Sequence, residues 1–238
     1  CNAVIITSDK CYDNVEWVWG YRETDKLGGP DPYSGSKGAA EIAISSYVRS
    51  YFSTKSNNVN IASARAGNVI GGGDWSKDRI IPDVIKSWQS QKEVILRNPN
   101  STRPWQHVLE PLSGYLSLAV NLNRNKKLHG QSFNFGPSDN NNYKVVDLVK
   151  SMSLYSDYKK WKINKTTNNN YESNLLKLNC DKILFHINWQ SILTFTETIK
   201  MTMEWYNFYK NDKENIEKKS IEQIHEYEKL LKNRALFW

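Results

Sequence analysis

The sequence predicts an α/β protein built on an open, doubly wound parallel sheet. Short apolar runs alternate with stretches of helical periodicity, and the residues suited to chemistry fall just after the runs, where ligands bind in such sheets. The chain has 238 residues, 39% of them hydrophobic and 12% aromatic, which suffices for one large domain, or a domain with a modest subdomain, around a buried core.

Residues 3–7 form an apolar run ending in Ser8-Asp9-Lys10, the pattern of a buried parallel strand delivering side chains at its C-terminal edge. Residues 11–32, with Trp17, Trp19, Gly20, Gly28, Gly29, Pro30 and Pro32, read as a loop of a length that usually signals function. Over 33–52, Ala39, Ala40, Ile42, Ala43 and Tyr47 recur at helical spacing. A strand over 60–66 leads into Gly67-Asn68 and the run Gly71-Gly72-Gly73-Asp74-Trp75. A helix over 80–89, a short strand over 94–97 and an extended stretch over 105–108 come next. A helix over 110–122 tolerates Pro111 in its first turn. A strand over 132–135 stops at Gly136-Pro137, and further helices are predicted over 143–155, 195–209 and 212–233.

The formal charge of +7 raises the question of nucleic acid, but the lysines lie among asparagines and glutamates as a solvated face, with no clustered basic stripe. No nucleic-acid partner is expected. No stretch approaches the roughly 18 consecutive apolar residues of a membrane helix, and the start has no signal-peptide pattern. Cys1, Cys11 and Cys180 are too scattered for a disulfide framework or a zinc site, which points to no metal and to a reducing cytoplasm. The sequence opens without Met inside an apolar run, as a fragment does.

Tyr33 and Lys37 stand four apart and share a helix face, so the ammonium can favour the phenolate and make Tyr33 a general base. The spacing alone is weak, because Tyr51, Tyr155, Tyr158, Tyr206 and Tyr209 also have Lys four residues on. The setting lifts Tyr33: Pro32 before it, small Ser34, Gly35 and Ser36 after it, and a strand ending in Ser8 one loop upstream. The Gly71-Gly72-Gly73 run has no following Lys-Ser/Thr and reads as a flexible site wall rather than a phosphate loop.

Val4-Ile5-Ile6-Thr7-Ser8-Asp9-Lys10 and Pro32-Tyr33-Ser34-Gly35-Ser36-Lys37 resemble the catalytic strand and Tyr-Lys helix of the extended short-chain dehydrogenase/reductases, the NAD-dependent epimerase/dehydratase group. Arg65-Ala66-Gly67-Asn68-Val69-Ile70-Gly71 and Arg103-Pro104-Trp105-Gln106-His107-Val108 resemble two further segments of that family, and the likeness runs to about residue 205. Within it, Thr7-Ser8-Asp9-Lys10-Cys11-Tyr12-Asp13, residues 16–23, Gly71-Gly72-Gly73-Asp74-Trp75, Arg97-Asn98-Pro99, residues 103–115 and Leu176-Lys177-Leu178 resemble the CDP-glucose 4,6-dehydratase branch. The dTDP-glucose branch carries Asp-Glu where this chain has Asp9-Lys10.

The resemblance implies a Rossmann-type sheet, here incomplete, with a smaller α/β substrate-binding subdomain. Residues 1–70 and 110–140 would belong to the first, and 71–109 and 141–238 to the second. It implies NAD as cofactor, CDP-glucose as substrate, a cytoplasmic homo-oligomer and a place in deoxysugar supply for surface polysaccharide. Ser8, Tyr33 and Lys37 would oxidise the sugar at C4, with Tyr33 and Lys37 also contacting the cofactor. Asp9 would act as the acid of a C5–C6 elimination, and Lys10 stands at the position of the base. Asn68, Arg79 and Arg103 would hold the sugar and its diphosphate, with Asp139 and Glu172 at nucleotide or ribose contacts. For Asp9-Lys10 the plainer alternative is a surface ion pair, for Asn68 a turn residue, and for a lone Arg a solvated side chain. Another nucleotide-sugar dehydratase or epimerase, or a non-catalytic nucleotide-binding member, would share the fold.

The sequence departs from the family in one respect. It has no Gly-rich dinucleotide fingerprint and no acidic residue about 20 positions beyond one. About a hundred residues of strand and helix would precede residue 1. The 238-residue piece by itself is therefore expected to fold poorly and to be inactive.

Overall fold

The computed structural model describes residues 1–53, 58–138, 143–163 and 175–234. In chain order the elements are β1 (Asn2–Ile6), α1 (Pro32–Tyr47), β2 (Asn60–Ala66), β3 (Val69–Ile70), α2 (Ile80–Gln89), β4 (Val94–Leu96), β5 (Gln106–His107), α3 (Leu109–Arg124), β6 (Ser132–Phe135), α4 (Val145–Met152), β7 (Trp161–Ile163), α5 (Asp181–Ile187), α6 (Phe195–Asn211) and α7 (Ile216–Asn233). The helix expected over 33–52 ends at Tyr47 and continues as a π-helical turn, Val48–Phe52. The one expected over 143–155 closes with a 3-10 turn, Ser153–Tyr155. α5 and β7 have no counterpart among the predicted elements, both being too short for a period to register.

β1, β2 and β6 form one all-parallel sheet in the order β1-β2-β6, with Val4 opposite Ala62 and Ser63 opposite Ser132. Because side chains alternate along a strand, the sheet has two unlike faces. One presents Val4, Ala62, Ala64, Phe133 and Phe135, which pack with Leu118 and Leu122 of α3 and Ile183 and Ile187 of α5. The other presents Thr7, Ser63, Arg65, Ser132 and Asn134 to α1 and the loop before it. Helices on both faces of a parallel sheet make the doubly wound arrangement that the sequence predicts.

The remaining strands pair in twos, β3 with β5 and β4 with β7, both parallel. Around them α2, α4 and α6 close a separate apolar cluster that includes Ile81, Val84, Trp88, Leu148, Met152, Ile199 and Met203. Tyr206 of α6 donates its hydroxyl to the Asp74 carbonyl at 2.6 Å, tying this cluster to the glycine-rich segment. The last helix is fastened through α3. Glu110 accepts from the Ile192 and Leu193 backbone N–H groups at 2.9 and 2.6 Å and from the Tyr227 hydroxyl at 2.8 Å. Burial pushes the Glu110 carboxyl up to about 7. Among the described residues, no helix is long and apolar enough to cross a membrane.

Candidate active site

The parallel strands bring their C-terminal ends to one edge. Just past β1 the chain makes a 3-10 turn over Asp9–Cys11, for which Ser8 is the N-cap, its Oγ accepting from the Lys10 N–H at 3.2 Å. Ser8 Oγ in turn donates to Asp9 Oδ1 at 2.9 Å. Asp9 is 3% exposed, so it is no surface ion-pair member. Its other oxygen, Oδ2, is buried without a hydrogen-bond partner among the described residues. Burial outweighs the pull of Lys10, Ser8 and Arg103 and raises the Asp9 pKa, which favours the protonated acid. Gly67 makes room for this carboxyl: a Cβ there would lie 2.5 Å from Asp9 Oδ2.

Across the turn, α1 begins at Pro32 with Asp31 as its cap, one carboxylate oxygen accepting from the N–H groups of Tyr33 and Ser34 at 3.0 Å each. The Ser34 hydroxyl, and after it the backbone N–H groups, hold the Asp31 carboxyl below its ordinary range. Tyr33 is 56% exposed, and Lys37 Nζ lies 5.6 Å from the centre of its ring. The helical spacing therefore does bring ammonium and phenol together.

A cavity of about 710 Å³ opens at this edge, lined by Ser8, Asp9, Lys10, Tyr33, Asn68, Arg79 and Arg103 and reaching as far as β4. Seven of the ten residues singled out in the sequence thus share one cavity. Lys37 is near the Tyr33 ring but not in the lining, and Asp139 and Glu172 lie outside the described residues. Asn68 adopts φ of 28°, a left-handed conformation that Asn tolerates better than most residues, and its carbonyl accepts from the Gln106 N–H. Arg103 is 8% exposed in the wall, whereas Arg79 is exposed and lies 3.5 Å from Asp74.

Asp78 and Asp83 also line the cavity and carry no sequence signal, and Asp74, Arg97 and Trp105 line it as members of the resembling segments, with no role of their own read from the sequence. Of the Gly71–Gly73 run only Gly71 lines the cavity, and the next glycine is packed against α6 rather than loose. A Cβ on Gly72 would come within 2.0 Å of the Trp205 ring, so the glycine permits close approach to α6.

The model of the NAD dependent epimerase/dehydratase family matches residues 2–136, and the chain belongs to that family. It is 47% identical over 208 residues to the CDP-glucose 4,6-dehydratase of Salmonella typhimurium, covering 86% of this chain and 58% of that relative's length. The chain thus spans less than two thirds of that protein. Among solved structures, the dTDP-glucose 4,6-dehydratase of Bacillus anthracis in complex with NAD superposes with a TM-score of 0.72 at 20% identity, over 89% of this chain and 62% of the other. The UDP-glucuronic acid 4-epimerase of Bacillus cereus in complex with UDP-glucuronic acid and NAD gives a TM-score of 0.72 at 14% identity, over 87% and 61%. At those identities the structures speak for the fold, which is the Rossmann-type α/β fold expected from the resemblance.

Proposed function

We propose that the protein dehydrates CDP-glucose to the CDP-linked 4-keto-6-deoxy sugar, with NAD as its cofactor. The observation that carries this reading is the meeting of Ser8, a buried Asp9, Lys10 and Tyr33 on one cavity at the strand edge. The 47% identity to a protein named for that reaction supports the choice of substrate.

The residues present fit the nicotinamide end of the cofactor: a phenol and an ammonium on the first turns of α1, with Tyr33 open to solvent beside the cavity. When bound, NAD supplies the acceptor for hydride at C4 and its return to C6. Tyr33 takes the proton of the C4 hydroxyl as general base, with the Lys37 ammonium beside its ring. Ser8 holds the same oxygen. The ketone at C4 acidifies the hydrogen on C5. Asp9, kept protonated by burial, gives its proton to the hydroxide leaving C6, so that water departs. Lys10 stands for the removal of the C5 proton, directly or through a water, and for its return to C5 as hydride reaches C6. Arg103 and Arg79 can grip the diphosphate with paired N–H donors, and the Asn68 amide can both donate to and accept from the sugar phosphate.

The reducing cytoplasm suits the three free cysteines, and the exposed Ile42 and Tyr47 of α1 support self-association.

The test uses the whole natural protein. It is incubated with CDP-glucose, and with dTDP-glucose as control, and the 4-keto product is followed by its alkaline ultraviolet absorbance. Signal with CDP-glucose alone is the expected result, and Tyr33→Phe should lower kcat by about 10²- to 10⁴-fold. Signal with neither sugar defeats the dehydratase reading, and an epimerised sugar in its place moves the protein to the epimerases.

A further inference from the structure

We infer that Glu41 is a positioning residue: through Thr7 it sets where Tyr33, on α1, stands relative to Ser8, at the end of β1. The inference rests on the reading of Ser8 and Tyr33 as working groups and adds a residue that neither touches substrate nor lines the cavity.

Glu41 lies four residues beyond Lys37 and eight beyond Tyr33, on the same side of α1. In an Ala-rich helix it looks like a solvated charge, yet it is 3% exposed. Its two oxygens are engaged from β2, from β6 and from the residue just past β1. Thr7 Oγ1, just past β1, donates to Oε1. Oε2 accepts from Ser63 Oγ at 2.9 Å and Arg65 Nη2 at 2.7 Å, both on β2, and from Ser132 Oγ on β6 at 3.2 Å. Burial alone would push the Glu41 carboxyl up, but Arg65 and the hydroxyl donors hold it below its ordinary value, so the acceptor is a charged one. Hydrogen bonds to a carboxylate are short and directional.

Apolar packing lets a helix slide or roll by fractions of an ångström at little cost, because it has no preferred direction. Four directional bonds to one carboxylate do not. A shift of α1 along its axis would break them together, and the same shift would move Tyr33. The tie to β1 has the most direct consequence. Thr7 is bonded by its backbone N–H to the Ala64 carbonyl at 2.8 Å and is joined by one peptide unit to Ser8. One short path therefore runs from the sheet through Thr7 and Glu41 to the helix that carries the base. A misplacement near 1 Å in such a site costs on the order of 10²-fold in rate.

The test compares Thr7→Val, which keeps the shape and removes the hydroxyl, with Thr7→Ser, which keeps the hydroxyl. Glu41→Gln is the stronger perturbation, and the Thr7 pair decides the matter if that variant does not fold. Two readouts are taken on the whole protein: amide hydrogen exchange along α1, and the kcat, KM and pH profile of CDP-glucose turnover. The expected result is faster exchange in the first turns of α1 for Thr7→Val. Its kcat falls about tenfold with KM within about twofold, and the acidic limb of the kcat profile is displaced, while Thr7→Ser stays close to wild type in all of these. Equal behaviour of the two Thr7 variants overturns the inference. So does faster exchange with unchanged kcat, which would make Glu41 a fastening alone. If the wild-type protein turns over no sugar nucleotide, the proposed function fails, and unchanged exchange in Thr7→Val would then overturn the role of Glu41 separately.

Discussion

The two faces of the central sheet solve the same problem with opposite chemistry. On one, Phe133 and Phe135 meet Leu118, Leu122, Ile183 and Trp189, and the contacts are mainly apolar burial and edge-to-face ring packing. On the other, a buried Arg65–Glu41 pair at 2.7 Å continues through Tyr12, whose ring lies 5.0 Å under the guanidinium, to Asn134. Asn134 then donates to the carbonyls of Tyr21 and Asn179. The apolar face stabilises without specifying where its partners sit. The polar face, facing the helix with the proposed base, specifies position, and its net contribution to stability is small because desolvation offsets the attraction. Placement of a reacting group calls for the second kind of contact, and the sheet keeps it on that side.

The difference can be broken experimentally. Phe135→Ala and Arg65→Met should each cost about 3–5 kcal/mol, the first from a cavity and the second from a buried carboxylate left unpaired. What separates them is rescue. Adding Glu41→Gln to Arg65→Met should recover most of the loss in denaturant melts, whereas a second truncation on the apolar face, Leu118→Ala, only deepens it. If the polar double variant is no more stable than Arg65→Met, the faces are not different in kind.

A smaller effect sharpens the role of the cation. Glu110 is as buried as Glu41 but accepts from neutral backbone N–H and phenol donors where Glu41 has a guanidinium, and its carboxyl stands at about 7 where Glu41 is lowered. Its folded pKa exceeds the ordinary 4.5, so the folded state binds more protons between those values. Stability should therefore fall as pH rises from about 4.5 through 7, by roughly 3 kcal/mol in total. Glu110→Gln should flatten that slope in urea melts taken across the window. A slope that persists in the variant would assign it to other groups. The smallest effect is at the exposed start of α1, where Asp31→Ala should cost about 1 kcal/mol in thermal melts through the lost cap.

Strands and helices long enough to show a period were legible in the sequence: Asn60–Ala66, Ser132–Phe135 and Ile80–Gln89 have the bounds that periodicity predicts. β5 falls within the stretch 105–108 that reads as extended, whereas its two-residue partner β3 owes its existence to that pairing, which no local pattern can reveal. Tyr33, Lys37 and Ser8 were found from their setting after a strand and a loop. Glu41 and Arg65 were not, because a charge on a helix or strand reads as solvated until register places it against its partner. The burial of Asp9 was equally hidden, since it depends on Gly67 from another strand end.

The separation of the polar partners along the chain has a kinetic consequence. Ser63 and Ser132 are 69 residues apart, and Thr7 and Glu41 are 34 apart. Contacts so distant close late in folding. Lesions on this face should therefore speed unfolding while leaving the folding rate nearly untouched, so that the lifetime of the native state, more than the ease of reaching it, depends on one buried carboxylate.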